Sequence, residues 1–290
     1  MLIAFKLKLA LACVAGLAGP IAVAPLVSDA TLRSSAISGE PATVAIARGQ
    51  FAYRPAGDFT RAGRQAEAPL RMVQFKKPLH IMRHQVSSAD YQLCVQDGTC
   101  RGFDRGVVVA PNLPAVQVSW HDANAYAGWL SRKTGVHYRL PSDEEWAYAA
   151  GSKFKDDGLP VDADDPAKRW ISRYERESDR NFSDTAASPF GRFGVNEHGI
   201  ADLAGNVWEW TTTCFVRARL DETGDGARDR INCGVRVAQG VHRAYVTDFI
   251  RDARAGGCAQ GIPPSNLGFR LVREEPSWMV RLEKAWTVRS

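Results

Sequence analysis

The stretch DLAGNVWEW, residues 202–210, decides the fold of this chain. Gly205 is poorly tolerated in a helix, and the Gly-Asn pair that it begins favours a turn. A strand after that turn would place Trp208 and Trp210 on one face and Glu209 on the other. The stretch is therefore predicted to be a turn that leads into a short strand. It is either an ordinary packed turn with solvated acids or a loop that encloses a cation.

The composition indicates a globular protein with many short elements. The chain has 290 residues, of which 45% are hydrophobic and 24% charged, enough for one large domain or two small ones. Its 25 glycines, 15 prolines and 8 tryptophans favour structured loops over a helical bundle. The net charge of +5 is spread without a dense basic run, which argues against nucleic-acid binding.

The N-terminus has the layout of an export signal. Lys6 and Lys8 precede an apolar run, and Ser28-Asp29-Ala30 offers a small-x-small cleavage site. Residues 1–30 are therefore predicted to be a signal peptide, or else an uncleaved N-terminal anchor. No other stretch is long and apolar enough to span a bilayer, so membrane contact is expected only through that anchor. The protein is expected to be periplasmic or otherwise exported, with a linker at 31–43 and a charged tail at 274–290.

Cysteine usage fits an oxidising compartment. Cys94 and Cys100 enclose a tight Asp-Gly turn, which predicts a local disulfide. Two of the remaining three, Cys214, Cys233 and Cys258, are expected to pair and to leave one odd thiol. The sequence does not say which two.

Three helix starts can be placed from capping signals. Ser87, Ser119 and Ser142 each precede an apolar pattern with an acid three residues later, the arrangement of a capping box. Gly98 is expected to stop the first helix and Gly135 the second. Short strands are predicted elsewhere, including all of the turn-rich region 181–272.

Four stretches resemble the formylglycine-generating enzymes, also called sulfatase-modifying factors. They read LPAVQVSW at 113–120, YRLPSDEEW at 138–146, DLAGNVWEW at 202–210 and SNLGFR at 265–270, and they occur in the family's order. The resemblance implies an irregular α/β fold related to C-type lectins, with little regular secondary structure, over residues 44–273. The 240–254 segment also loosely resembles an accessory subgroup found beside copper nitrite reductase.

The resemblance implies a calcium loop at 202–210. The matching ligands are the side chains of Asp202 and Glu209 and the backbone carbonyls of Gly205 and Val207. Calcium takes six to eight oxygens and mixes carboxylates with carbonyls, so the set is chemically reasonable. The alternative is that both acids are solvated beside a packed turn.

The family's catalytic apparatus is not matched. Its true enzymes oxidise a cysteine of a client sulfatase to formylglycine with oxygen and a copper ion held by two cysteines. The corresponding segment here, residues 237–254, contains no cysteine, so copper is not expected.

A pocket is nevertheless expected from the resemblance. Arg254 and Asn266 match positions that bind the client peptide, and Trp208 lines the same region. His242 and Arg243 lie in residues 237–254, which we call the replaced segment because they stand in place of the family's cysteine-bearing segment. A His-Arg-Asp group there could do acid–base work or bind an anion. The alternative is a salt-bridged structural loop.

Three functions fit these observations. The first is an exported accessory protein that binds or matures a client protein or peptide. The second is an oxidoreductase of the same family with altered pocket chemistry. The third is a calcium-dependent, lectin-like binding module.

Overall fold

Strands make up most of the regular structure in the part of the chain that the structure, a computed structural model, describes. The described residues are 40–155, 186–221, 230–253, 258–260, 264 and 266–274. The predicted leader or anchor, nearly all of the linker, and the tail beyond residue 274 lie outside them. Within these ranges, no helix has the length and apolar character that crossing a membrane requires.

The three helices begin at the serines that the sequence indicates. They are α1 (Ser88–Gln96), α2 (Trp120–Thr134) and α3 (Asp143–Ala150). At the start of α2, the Ser119 hydroxyl accepts the Asp122 amide N–H at 3.1 Å, and the Asp122 carboxylate accepts the Ser119 amide N–H at 2.9 Å. Gly135 ends α2 in the left-handed region, with φ of 69°. The predicted helix starts are confirmed.

Thirteen strands are formed by the described residues. They are β1 (Thr43–Ile46), β2 (Gly49–Tyr53), β3 (Asp58–Arg61), β4 (Arg64–Ala66), β5 (Arg71–Phe75), β6 (Leu79–Met82), β7 (Tyr138–Arg139), β8 (Trp208–Arg219), β9 (Arg230–Gln239), β10 (Arg243–Thr247), β11 (Cys258–Gln260), β12 (Leu267–Gly268) and β13 (Val272–Arg273).

These strands pair into three sheets. The first has the order β1-β6-β13-β7 and is antiparallel throughout. The largest has the order β11-β10-β9-β8-β3-β4, with the short β12 pairing parallel to β8. The pair β2-β5 stands alone. Short strands and irregular connections with few helices confirm the predicted irregular α/β fold.

The length of two strands corrects the sequence prediction. Region 181–272 was expected to hold only short strands, but β8 has 12 residues and β9 has 10. The reason is visible in β8, where Thr211, Thr212 and Thr213 are β-branched residues that favour extended backbone. The antiparallel ladder of β8 and β9 shifts on both sides of Cys214: β8 has extra residues between Trp210 and Cys214, and β9 has extra residues between Asn232 and Arg236.

Two apolar clusters support these sheets. The larger packs α1 and α2 against the start of β8, and its aromatic members include Tyr91, Tyr126, Trp129, Trp210 and Phe269. The second packs α3 against the four-stranded sheet and includes Ile46, Ile81, Trp146, Ile200 and Val272. The segment that links β12 to β13 contributes Phe269 and Leu271 to the first cluster, and β13 contributes Val272 to the second.

Two disulfides are present among the described residues. Cys94 pairs with Cys100, which confirms the predicted local bridge. Cys214 pairs with Cys233 and joins β8 to β9, which answers the question that the sequence left open. The side chain of Cys258 lies outside the described residues.

A buried ion pair connects the two main sheets. Both Glu209, at the start of β8, and Arg270, just before β13, are fully buried. The Arg270 guanidinium donates from Nε to Glu209 Oε2 at 2.5 Å and from Nη2 to Glu209 Oε1 at 2.7 Å. Its remaining N–H groups reach the backbone carbonyls of Met82, Arg83 and Ala201. All the donors of this guanidinium therefore have partners.

We predict that breaking this pair from either side destabilises the protein strongly. Glu209→Gln leaves the Arg270 charge buried without its counterion, and Arg270→Met leaves the Glu209 charge buried without its counterion and removes the arginine donors from three backbone carbonyls. Each change should lower the free energy of unfolding by about 3–5 kcal/mol, as measured by urea denaturation.

The control is the surface pair of Arg217 with Asp58, whose N–O distance is 3.0 Å and whose arginine side chain is 58% exposed. Arg217→Met should cost less than about 1 kcal/mol. Similar losses for the buried and the exposed pair would contradict the role given to Arg270.

Candidate functional site

The loop before β8 is held in an unusual backbone conformation. Asp202, Ala204 and Asn206 have φ of 58°, 57° and 65°, so left-handed residues recur at every second position. Such conformations cost energy in residues other than glycine and persist only where the surroundings fix them. Gly205 lies between them because a Cβ there would come within 2.6 Å of the Phe193 ring.

Side-chain hydrogen bonds fix this loop to residues 188–193. The buried Asp202 carboxylate accepts the backbone N–H of Gly191 at 2.6 Å and of Phe193 at 2.8 Å. The Asn206 amide accepts the Ser188 N–H and donates to the Ser188 carbonyl, both at 2.8 Å. The acid that was predicted to bind a cation thus serves as an internal acceptor for backbone donors.

The predicted calcium ligands are not arranged to bind calcium, because their oxygen atoms accept hydrogen bonds from the protein. The Glu209 carboxylate accepts four N–H groups, two from Arg270, one from Gln85 at 2.7 Å and one from Trp146 at 2.8 Å. Four donors fill the lone pairs of a carboxylate. The Gly205 carbonyl accepts the Val207 N–H at 2.8 Å. Within the described ranges, no cluster of three or more His, Cys, Asp or Glu side chains could hold a metal.

Three of the predicted pocket residues lie together. The rings of Trp208 and His242 meet edge to face with centroids 5.1 Å apart, and Trp208 Nε1 donates to the His242 carbonyl at 3.0 Å. The Trp208 N–H donates to the Asn266 carbonyl at 2.8 Å. Trp208 and His242 are nearly buried, whereas Asn266 is half-buried. We call these three residues the Trp208 site.

Arg243 is directed away from the Trp208 site. Its guanidinium lies 3.2 Å from the carboxylate of Asp143, which is fully buried and which also accepts the Tyr53 hydroxyl and the Gln239 amide. Burial and the nearby Asp143 charge raise the pKa of Tyr53 well above its ordinary value. This cluster could not be predicted from sequence, because Asp143 is followed by the similar but half-buried acids Glu144 and Glu145.

Other charged residues of the replaced segment also have partners outside it. Arg251 contacts Asp104 at 2.9 Å and Asp122 at 3.2 Å. Asp248 lies 3.2 Å from His121 at the start of α2. These pairs favour the salt-bridged structural loop over a free acid–base group. The predicted pocket residue Arg254 lies outside the described residues.

A separate cavity of about 680 Å³ opens beside the Asp143 cluster. Its wall combines apolar and charged groups, and its lining includes Tyr53, Phe59, Arg71, Glu144, Thr213 and Arg219. Arg71 and Glu144, both part of the lining, form an ion pair. The volume is that of a small-molecule site, although no sequence pattern predicts a site from these residues.

Comparison with known proteins agrees with the motifs. The sulfatase-modifying factor enzyme 1-like domain matches residues 29–275. The formylglycine-generating enzyme of Mycobacterium tuberculosis is 37% identical over 124 residues, which cover 39% of this chain and 38% of that protein. The inactive C-alpha-formylglycine-generating enzyme 2 of Mus musculus is 32% identical over 185 residues, which cover 59% of this chain and 52% of that protein.

A solved structure supports the fold. PvdO from Pseudomonas aeruginosa is similar with a TM-score of 0.51 and 26% identity, over 81% of this chain and 95% of that one. The chain spans from 38% to 54% of the length of the first curated relatives that it matches. Because the domain match covers most of the chain and the fold agrees with it, the chain belongs to the sulfatase-modifying factor, or formylglycine-generating enzyme, family.

Proposed function

We propose that this chain is an exported member of the family that binds or matures a client protein at the Trp208 site, without copper–thiolate chemistry. The observation that supports this proposal most strongly is the composition and the ion pairing of the segment in which the resemblance places the copper ligands. Residues 237–254 contain no cysteine, and Arg243, Asp248 and Arg251 are engaged with acids or bases elsewhere. These contacts restrain the described part of the segment, which suits a binding surface.

Two features support a binding role for this surface. Phe249 is 66% exposed although the residues around it are anchored by ion pairs. A rigid segment that presents an aromatic side chain loses little conformational entropy when a partner binds. The family also includes relatives whose names describe them as inactive, so loss of the oxidase activity has precedent within it.

Export is the second part of the proposal. Two disulfides among the described residues suit an oxidising compartment, and they agree with the leader-like residues at the N-terminus. The periplasm is therefore the place in which we propose that the client is met.

The absence of copper chemistry can be tested by direct assay. The chain, incubated with copper(I), oxygen and a cysteine-bearing sulfatase peptide, should produce no formylglycine by mass spectrometry, since no thiolate pair is available in the 237–254 segment. The Mycobacterium tuberculosis relative serves as the positive control. Repeated turnover together with stoichiometric copper would instead favour the oxidoreductase alternative.

Client binding can be tested by site-specific photocrosslinking in the native periplasm. A photoreactive phenylalanine analogue at Phe249 should give one specific crosslinked protein. The same analogue at Met72, which is 62% exposed on the separate β2-β5 sheet, should not. Equal labelling from both positions, or none from Phe249, would contradict a client site on this segment.

A second variant links the crosslink to the Trp208 site. A Cβ on Gly240 would lie 2.7 Å from the Trp208 ring, so Gly240→Ala should displace that ring and lower the Phe249 crosslink by about tenfold. Gly102→Ala is the matched control, because its Cβ would meet only Val95 at an ordinary 3.8 Å. An unchanged crosslink in Gly240→Ala would separate client binding from Trp208.

The calcium prediction is tested by chelation. Because Asp202 and Glu209 are satisfied by protein donors, EGTA should leave the Tm of the purified chain unchanged. A fall in Tm that calcium reverses and magnesium does not would assign calcium to the 202–210 loop and would revive the lectin-like alternative.

A further inference from the structure

The disulfide between β8 and β9 lies at an exposed bulge. Cys214 is opposite Arg236 in the ladder, whereas the next residue, Phe215, is opposite Asn232. Three residues of β9, including Cys233, therefore have no counterpart on β8. Cys233 and its neighbours from residue 230 to 234 are exposed, while Cys214 is half-buried. The two sulfurs thus differ in their access to solvent.

A guanidinium lies directly against the less accessible sulfur. Arg236 Nη1 donates to Cys214 Sγ at 3.0 Å and to the Thr212 carbonyl at 2.8 Å. The group also stacks over the Trp120 ring, 3.9 Å from its centroid. Among the described contacts, the hydrogen bond from this cation to the disulfide goes to Cys214 Sγ.

This cation has no carboxylate in contact within the described part of the chain. Asp248 acts on Arg236 through its charge only, and the buried Arg236 Nε makes no hydrogen bond there. Burial lowers the pKa of Arg236, and the charge of Asp248 opposes this shift. An anion formed at Cys214 Sγ would lie in direct contact with this cation.

We propose that the Cys214–Cys233 disulfide is a thiol–disulfide exchange site that accepts electrons from an external dithiol. One thiolate of the dithiol attacks the exposed Cys233 Sγ, a mixed disulfide forms, and Cys214 leaves as a thiolate beside Arg236. The second thiol of the dithiol, once deprotonated, attacks the mixed disulfide and releases Cys233. The dithiol is oxidised to its disulfide, and the protein gains two electrons and two thiol groups, one of them held as thiolate.

General chemistry supports this direction of attack. A leaving thiol of lower pKa leaves faster, and a neighbouring arginine lowers the pKa of a thiol. Exposure decides which sulfur the incoming thiolate can reach. Both effects select Cys233 as the point of attack and Cys214 as the leaving group.

The exchange would be communicated to the replaced segment. Within the bulge, the Gly234 carbonyl accepts the Asp248 N–H at 3.0 Å, and the Asp248 carbonyl accepts the Trp120 N–H at 3.0 Å. Opening the disulfide removes the covalent restraint on that bulge. The inference stands apart from the proposed client binding, which does not require any change of the disulfide.

The test uses the two disulfides of the same molecule. Free thiols of the full chain are capped with N-ethylmaleimide, the protein is treated with limiting dithiothreitol at pH 7, and new thiols are quantified by isotope-coded alkylation and mass spectrometry. Cys214–Cys233 should open at least about tenfold faster than Cys94–Cys100, in which both cysteines are buried. Equal rates would overturn the proposal.

The direction of attack is tested in the wild-type protein with glutathione. The mixed disulfide should be found on Cys233, with Cys214 free for alkylation. Glutathione on Cys214 would overturn the role given to Arg236. This readout requires no variant, so it holds even where a substitution disturbs folding.

The arginine is tested by a matched pair of substitutions. Arg236→Gln removes the charge and should slow opening of Cys214–Cys233 by about fivefold to tenfold, with the Cys94–Cys100 rate unchanged. Arg236→Lys keeps the charge and should retain most of the rate. An unchanged rate in Arg236→Gln, or equal slowing of both disulfides, would show that Arg236 does not assist the leaving thiolate.

Discussion

The buried pair of Glu209 and Arg270 is the interaction on which the rest of the structure depends. Neither charge could remain in the core alone, because desolvation of an unpaired ion costs more than most single contacts return. Together they satisfy each other and also hold the carbonyls of Met82, Arg83 and Ala201. The pair thereby fixes the end of β6, the loop before β8 and the segment before β13 relative to one another.

This constraint explains the loop that precedes β8. Glu209 can face Arg270 only if the chain enters β8 in one register, and the left-handed residues from Asp202 to Asn206 provide that entry. The conformational strain is offset by backbone donors that the Asp202 carboxylate accepts from Gly191 and Phe193. Asp202 and Glu209, which the family resemblance predicts to be calcium ligands, both accept hydrogen bonds from protein donors in this arrangement. Two carboxylates at this spacing in the sequence are compatible with a bound metal and equally with hydrogen bonds from protein donors. The sequence pattern does not distinguish these two cases.

Local features were predictable from sequence, whereas long-range pairings were not. Ser119 and Gly135 act on residues within a few positions of themselves, so the ends of α2 could be placed without the fold. The bridge between Cys94 and Cys100 is local for the same reason. The partner of Cys214 depends on strand register, which shifts on both sides of Cys214, and the contact of Asp143 with Arg243 joins a helix to a strand that is distant in sequence. A register shift cannot be recognised from composition or residue spacing. The contacts of the Trp208 site also join residues that are distant in sequence, so they could not be predicted from local patterns.

Two neighbouring residues at the start of β10 have different contacts. His242 lies in the bend just before β10 and meets the Trp208 ring, whereas Arg243 begins the strand and enters the Asp143 cluster. An arginine held by Asp143 anchors the strand from behind, so the backbone that carries His242 is fixed before any partner arrives. The ion pairs of Arg243 and Arg251 therefore hold this cysteine-free segment in place. Under the proposed client binding, the same charges that fix the backbone are not available for acid–base chemistry.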